Sequence, residues 1–208
     1  PSAVPGSPEW LVTGWGSDEA ASGSMSELPI DAAVPAGPRG GTAGAAVANN
    51  LPTYLTSFVG RHRELDELRT LLTTTRLLML TGSGGGGKTR LAAHLGRDVL
   101  AHHPDGVWWL ELAPVSEPTR VEAALATAVG VRPLPGRTPL EASIAHLASQ
   151  RALLVFDNCE HVLDPCRHLV AELLRGCPNL TIVATSREPL GVGGETTWRV
   201  PSLSLSSD

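Results

Sequence analysis

The residues best suited to chemistry form one octet. Gly82-Ser83-Gly84-Gly85-Gly86-Gly87-Lys88-Thr89 fits the pattern G-x-x-x-x-G-K-[ST] at every position. Glycines let a backbone curl until successive N–H groups point inward, which makes a concave seat for phosphate oxygens. A helix starting at Lys88 adds its free N–H groups and its partial positive end to the same anion. The Lys88 ammonium then reaches the β and γ phosphates, and the Thr89 hydroxyl is a hard oxygen ligand for Mg²⁺. Lys88 is the only lysine among 16 Lys and Arg residues. A slim point charge stands where one has to reach between oxygens. The ligand this predicts is ATP or ADP with Mg²⁺, held by Gly82 to Thr89 and by Arg90, the next residue along.

A carboxylate and a guanidinium complete the set. Leu153-Leu154-Val155-Phe156-Asp157 reads as an apolar strand ending in an acid. Asp157 can hold Mg²⁺ through a water, opposite Thr89. An Asp in this position is also a common cap of the next helix, and the upstream loop favours the metal role. The group that polarises an attacking water is open: Asn158 cannot take a proton, which leaves Glu160 and, less favoured, Glu111. Arg187, at the end of another strand, can pair bidentately with phosphate oxygens.

Elements that could position these groups follow from periodicity. Arg61–Leu72 is predicted as an amphipathic helix with Leu65, Leu68, Leu71 and Leu72 on one face, and Thr89–His102 as a second. Pro118–Val129 and Pro139–Ser149 read as helices with Pro in the first turn. Another helix opens at Asp164-Pro165, with Asp164 as N-cap and Pro165 at N1, and closes near Gly176. Strands are expected at Arg76–Thr81, Val107–Leu112, Ala152–Phe156, Leu180–Thr185 and Thr197–Val200. Such alternation predicts an α/β fold of the P-loop kind: a three-layer sandwich with about five mostly parallel strands and helices on both faces. Ligands of such sheets sit beyond the carboxyl ends of the strands. That rule gathers Gly82–Thr89, Asp157 and Thr185–Arg187 on one edge.

Of 208 residues, 42% are hydrophobic and 18% charged, with a net charge of −5. This balance suits a globular core and argues against a surface built mainly for nucleic-acid phosphates. Residues 1–50 are rich in Pro, Gly, Ala and Ser, with Arg39 as their one cation, and read as a linker or disordered flank. Trp10 and Trp15 are expected to be exposed there. Residues 51–208 are expected to form the nucleotide-binding domain, truncated at its C-terminus. The three cysteines, an odd number, suit a reduced cytoplasmic setting rather than a disulfide framework. No secretory leader or membrane span is expected. Cys159, His161, Cys166 and His168 do not have the spacing of zinc pairs, so packing or a solvated face is expected. Trp108 and Trp109, adjacent on a strand, are expected to cover its two faces.

Four segments together resemble a known family. Asn50–Arg61 (NLPTYLTSFVGR), GSGGGGKT, LLVFDNCEH and ATSREPLG, in this order, look like the nucleotide-binding domain of STAND-class P-loop ATPases. The branch they resemble is the NB-ARC (AP-ATPase)-like module of bacterial transcriptional regulators of the SARP and LuxR types. The resemblance covers about residues 51–201. It implies that Phe58, Val59, Gly60 and Arg61 pack against adenine, that Asp157 is the Mg²⁺-associated acid, and that Arg187 senses the γ-phosphate. It further implies a switch between ADP and ATP states with slow hydrolysis, and self-association in the ATP state. DNA would be contacted only through a domain outside this chain. Ser83 and Gly86 depart from the family's loop, which more often has Pro and Val there.

The expected function is therefore an ATP/ADP-binding signalling module of a transcriptional regulator, with Lys88, Asp157, Arg187 and Glu160 as its catalytic set. Two alternatives come from other classes. One is a phosphotransferase acting on a small acceptor, which would need an Arg-rich lid that the sequence does not show. The other is a nucleotide-binding fragment with no activity of its own.

Overall fold

The structure, a computed structural model, describes residues 46–55 and 60–201. Trp10, Trp15, Phe58 and Val59 lie outside the described residues.

The chain runs α1 (His62–Leu72), β1 (Leu77–Thr81), α2 (Lys88–Asp98), β2 (Val107–Glu111), α3 (Val121–Ala128), α4 (Pro139–Leu147), β3 (Leu153–Asp157), α5 (Leu163–Gly176), β4 (Thr181–Ser186) and β5 (Glu195–Arg199). The five strands form one sheet in the order β2-β3-β4-β1-β5, and all four pairings are parallel. Parallel strands need crossover helices, and these cover both faces. The strand side chains split accordingly. Leu77, Met79, Leu154, Phe156, Ile182 and Ala184 point into a core closed by α3, α4 and α5. Leu78, Leu80, Leu153, Val155 and Val183 point the other way, into a core closed by α1 and α2. This is the expected three-layer sandwich. Trp108 and Trp109 divide between the two cores, as adjacent residues of a strand must.

The boundaries shift for local reasons. The helix expected at Asp164-Pro165 starts at Leu163, with Val162 at the cap and no side-chain cap bond. Asp164 instead sits in the first turn, where it pairs with Arg167 at 2.9 Å. Pro165 is tolerated there because first-turn N–H groups have no helical partner. The helix expected from Thr89 to His102 ends at Asp98, and a 3₁₀ turn, Leu100–His102, carries the rest. Pro118–Arg120 is likewise a 3₁₀ turn ahead of α3. Thr138 and Glu141 form a reciprocal capping box at α4.

A short segment ahead of α1 completes the sheet edge. Val107 N–H donates to Ala48 O at 3.0 Å, and Asn49 bridges Val107 in parallel fashion. The Asn50 side chain acts as one more strand residue: it accepts from Trp109 N–H at 2.5 Å and donates to Trp109 O at 3.0 Å. Leu51 then packs where a side chain on Gly96 of α2 would stand, and Arg97 donates to Pro52 O. Residues 48–50, placed by composition in the flank, thus pair with β2. Among the described residues, no helix is long and apolar enough to cross a membrane.

Candidate functional site

β1 delivers its last residue, Thr81, to the phosphate loop, and α2 begins on the far side of it. The chain turns back on itself at Gly86, whose N–H donates to Ser83 O at 3.3 Å. Gly87 caps α2 in the left-handed region (φ 83°), which an L side chain resists. Gly82 has φ 149°, and a Cβ there would stand 3.2 Å from Val200 O, just past β5. Lys88 is buried, and its Nζ donates to Gly82 O and Ser83 O, each at 2.9 Å. Those bonds use two of the three ammonium donors and keep the charge over the curl of the loop.

Asp157 ends β3 two strands away from β1, and β4 lies between them. Thr185, near the end of β4, fills that gap. It is buried and donates to Asp157 Oδ1 at 2.7 Å, while its oxygen accepts from Asn158 N–H at 2.9 Å. The Thr89 hydroxyl is close enough to the Asp157 carboxylate to lower its pKa. Burial raises the Asp157 pKa above its ordinary value; the Thr185 and Thr89 hydroxyls oppose this, and the Glu111 and Glu160 charges add to it. Glu111 is the register partner of Asp157 on exposed ground at the end of β2.

Asn158 takes a left-handed backbone (φ 68°) and turns the chain into a 3₁₀ turn, Cys159–His161. Glu160 on that turn pairs with Arg187, Oε1 to Nε, at 3.3 Å. Cys159 and Cys166 are buried in the core beneath, and His161 Nε2 lies 3.0 Å from Val115 O. Arg61 is the other described non-glycine residue with positive φ (62°). Its Nη2 donates to Pro201 O at 3.0 Å, its Cζ lies 4.0 Å from where a Gly87 Cβ would stand, and its buried Nη1 has no protein partner. The guanidinium of Arg90 lies 5.6 Å from the centre of the Tyr54 ring.

Gly84, Gly85, Gly87, Lys88, Thr89, Arg90, Asn158, Glu160, Thr185 and Arg187 line one cavity of about 370 Å³. Of the sequence-predicted residues, Gly84, Gly85, Gly87, Lys88, Thr89, Arg90, Glu160 and Arg187 line this cavity; Gly82, Ser83 and Gly86 belong to the same loop, Asp157 is joined to the lining through Thr185, and Arg61, preceded by Gly60, stands beside Gly87. Val59 lies outside the described residues. Thr185, Asn158 and Tyr54 were not singled out as site residues. Thr185 was visible as the last apolar-strand position before Ser186-Arg187, but its partner Asp157 is distant in sequence.

The donor set fits a polyphosphate with a divalent cation. Lys88, Arg61 and Arg187 are cations around a loop of amides, and Arg61 Nη1 is a buried donor still lacking an acceptor. Thr89 and Asp157 place a hydroxyl and a carboxylate close together, both hard oxygen donors.

Relatives carry the same region. A Mycobacterium tuberculosis protein named "Uncharacterized protein" is 42% identical over 163 residues, which are 78% of this chain and 42% of that one. A "Putative HTH-type transcriptional regulator" of the same organism is 48% identical over 141 residues, 68% of this chain and 16% of that one. The chain thus spans less than half the length of these curated relatives. No family model matches. Among solved structures, a STAND protein (Signal Transduction ATPase with Numerous Domains) with a tetratricopeptide repeat sensor, from Pyrococcus horikoshii, matches with a TM-score of 0.50 and 17% identity. That match covers 75% of this chain and 25% of the other. The chain has the fold of a P-loop ATPase. Its glycine loop follows β1, which lies between β4 and β5, and its sequence kin include a protein named as a transcriptional regulator.

Proposed function

We propose that this domain binds ATP and ADP with Mg²⁺, hydrolyses ATP slowly, and serves as the nucleotide switch of a transcriptional regulator. The observation that carries this reading is the convergence of Lys88, the Thr89–Asp157 pair and Arg187 around one cavity. Lys88 and the loop amides bind the β and γ phosphates. Arg61 bridges the loop and Pro201, and its free Nη1 offers a further donor to the nucleotide. Gly60, beside Arg61, contacts the base. Thr89 and Asp157 hold Mg²⁺, which when bound neutralises charge on the phosphate oxygens. Thr185 keeps the Asp157 carboxylate turned toward Thr89. Arg187 contacts the terminal phosphate and makes the site respond to its loss.

The regulatory context comes from the relatives, one of which is named as a regulator. Output through DNA then belongs to another domain, and self-association is a property of the triphosphate state. The test is equilibrium binding of ADP and of a non-hydrolysable ATP analogue, with and without Mg²⁺, followed by a phosphate-release assay. Binding of both nucleotides with turnover slower than about 1 per second, the low end of ordinary enzymes, supports the reading. Fast turnover with a small phosphate acceptor added would favour a phosphotransferase instead.

A further inference from the structure

Arg187 has a side chain 69% exposed, whereas that of Glu160 is only 19% exposed. An exposed arginine samples many rotamers unless something fixes it. Here Nε faces Glu160 Oε1 at 3.3 Å, and the far tip of the same guanidinium, Nη2, lies 3.8 Å from where a Cβ on Gly84 would stand. One edge of the planar fork is on the carboxylate and the other is over the phosphate loop. The Glu160 backbone is held in place, while its Oε2 is buried without a protein partner. It sits on the 3₁₀ turn between the left-handed Asn158 and His161, with Cys159 sunk in the core.

From this geometry we infer that Glu160 is a positioning residue: it aims Arg187 at the terminal phosphate, rather than acting as the base that polarises water. The inference rests on the nucleotide reading above. A guanidinium already aligned has less conformational freedom to lose when a phosphate arrives. A diphosphate lacks the group that Nη2 faces. Glu160 thus sets the preference for ATP over ADP without touching either.

The test is the ratio of affinities for a non-hydrolysable ATP analogue and ADP, measured on the wild-type chain, Arg187→Ala, Glu160→Ala, Glu160→Gln and the double alanine variant. The ratio is expected to fall about tenfold in Arg187→Ala and about as far in Glu160→Ala, the size of one charged hydrogen bond. The double variant should fall no further, because both act through one contact. Glu160→Gln keeps an oxygen for Nε and should recover most of the ratio. ADP affinity should stay within about twofold throughout, showing that the variants are folded and the loop is intact. Glu160→Ala with an unchanged ratio but lost turnover would overturn the inference in favour of a base. Equal loss of both nucleotides in Glu160→Ala would overturn it too, showing that Glu160 supports the whole loop. A wild-type chain that binds neither nucleotide overturns the nucleotide reading, and this inference with it.

Discussion

Thr185 Oγ1 stands 2.7 Å from Asp157 Oδ1 and joins the ends of β4 and β3. Because β4 separates β3 from β1, this one hydroxyl ties the acidic strand end to the phosphate-loop side of the sheet. It also satisfies the N–H of Asn158, the residue that turns the chain toward Glu160. Thr185→Val keeps the shape and removes both bonds. The expected loss of stability is about 1–3 kcal/mol, as for a buried polar pair left incomplete. Mg²⁺ should also matter less for nucleotide binding. Urea unfolding and nucleotide titrations at two Mg²⁺ concentrations check both outcomes.

Asp157 gives the site a pH signature. Burial raises its pKa in the folded chain, despite the hydroxyls of two threonines. A raised carboxyl favours the folded state fully below the unfolded value near 3.8, and that contribution is lost as pH rises through the folded pKa. Asp157→Asn has no such charge to bury. Without nucleotide, its Tm relative to wild type should therefore climb as pH is raised from about 3.8 through the folded pKa, and level off above it. Saturating Mg²⁺ and nucleotide should reverse the order, since the carboxylate is the proposed ligand of the cation. A Tm difference that is flat in pH would show that the charged form is not penalised.

The edge of β2 depends on Asn50, whose side chain makes two hydrogen bonds to Trp109. Asn50→Ala should lower stability by about 1–3 kcal/mol by stripping partners from backbone groups. The midpoint of urea unfolding measures this. Affinity for ADP should change little, because Asn50 is bonded to the middle of β2 and does not line the cavity.

The phosphate loop was legible because its chemistry is local: eight consecutive residues, a strand before and a helix after. β1 and β3 were legible for a similar reason, since they are buried at every position and leave near-unbroken apolar runs, whereas the half-exposed β5 runs Glu195–Arg199 and not Thr197–Val200 as expected. What the sequence did not show depends on residues that meet only after folding. Thr185 on β4 finds Asp157 at the end of the neighbouring β3, and Glu160, expected as a water-polarising group, is paired with Arg187. The α5 start was misplaced because Asp-Pro is a strong local cap signal. Here the incoming 3₁₀ turn overrode it and bonded Cys166 N–H to Val162 O. The Asn50 contact was hidden by the low-complexity composition of the residues before it.

The most direct measurement is calorimetric titration of wild type and Lys88→Ala with a Mg²⁺-bound, non-hydrolysable ATP analogue. Lys88 is the buried ammonium that bonds the loop at Gly82 and Ser83, and the proposed phosphate site centres on it. Wild type should bind with one site, and Lys88→Ala should bind at least about tenfold more weakly while unfolding cooperatively, the loss of one charged contact to phosphate. Equal affinity in the two proteins would contradict the account.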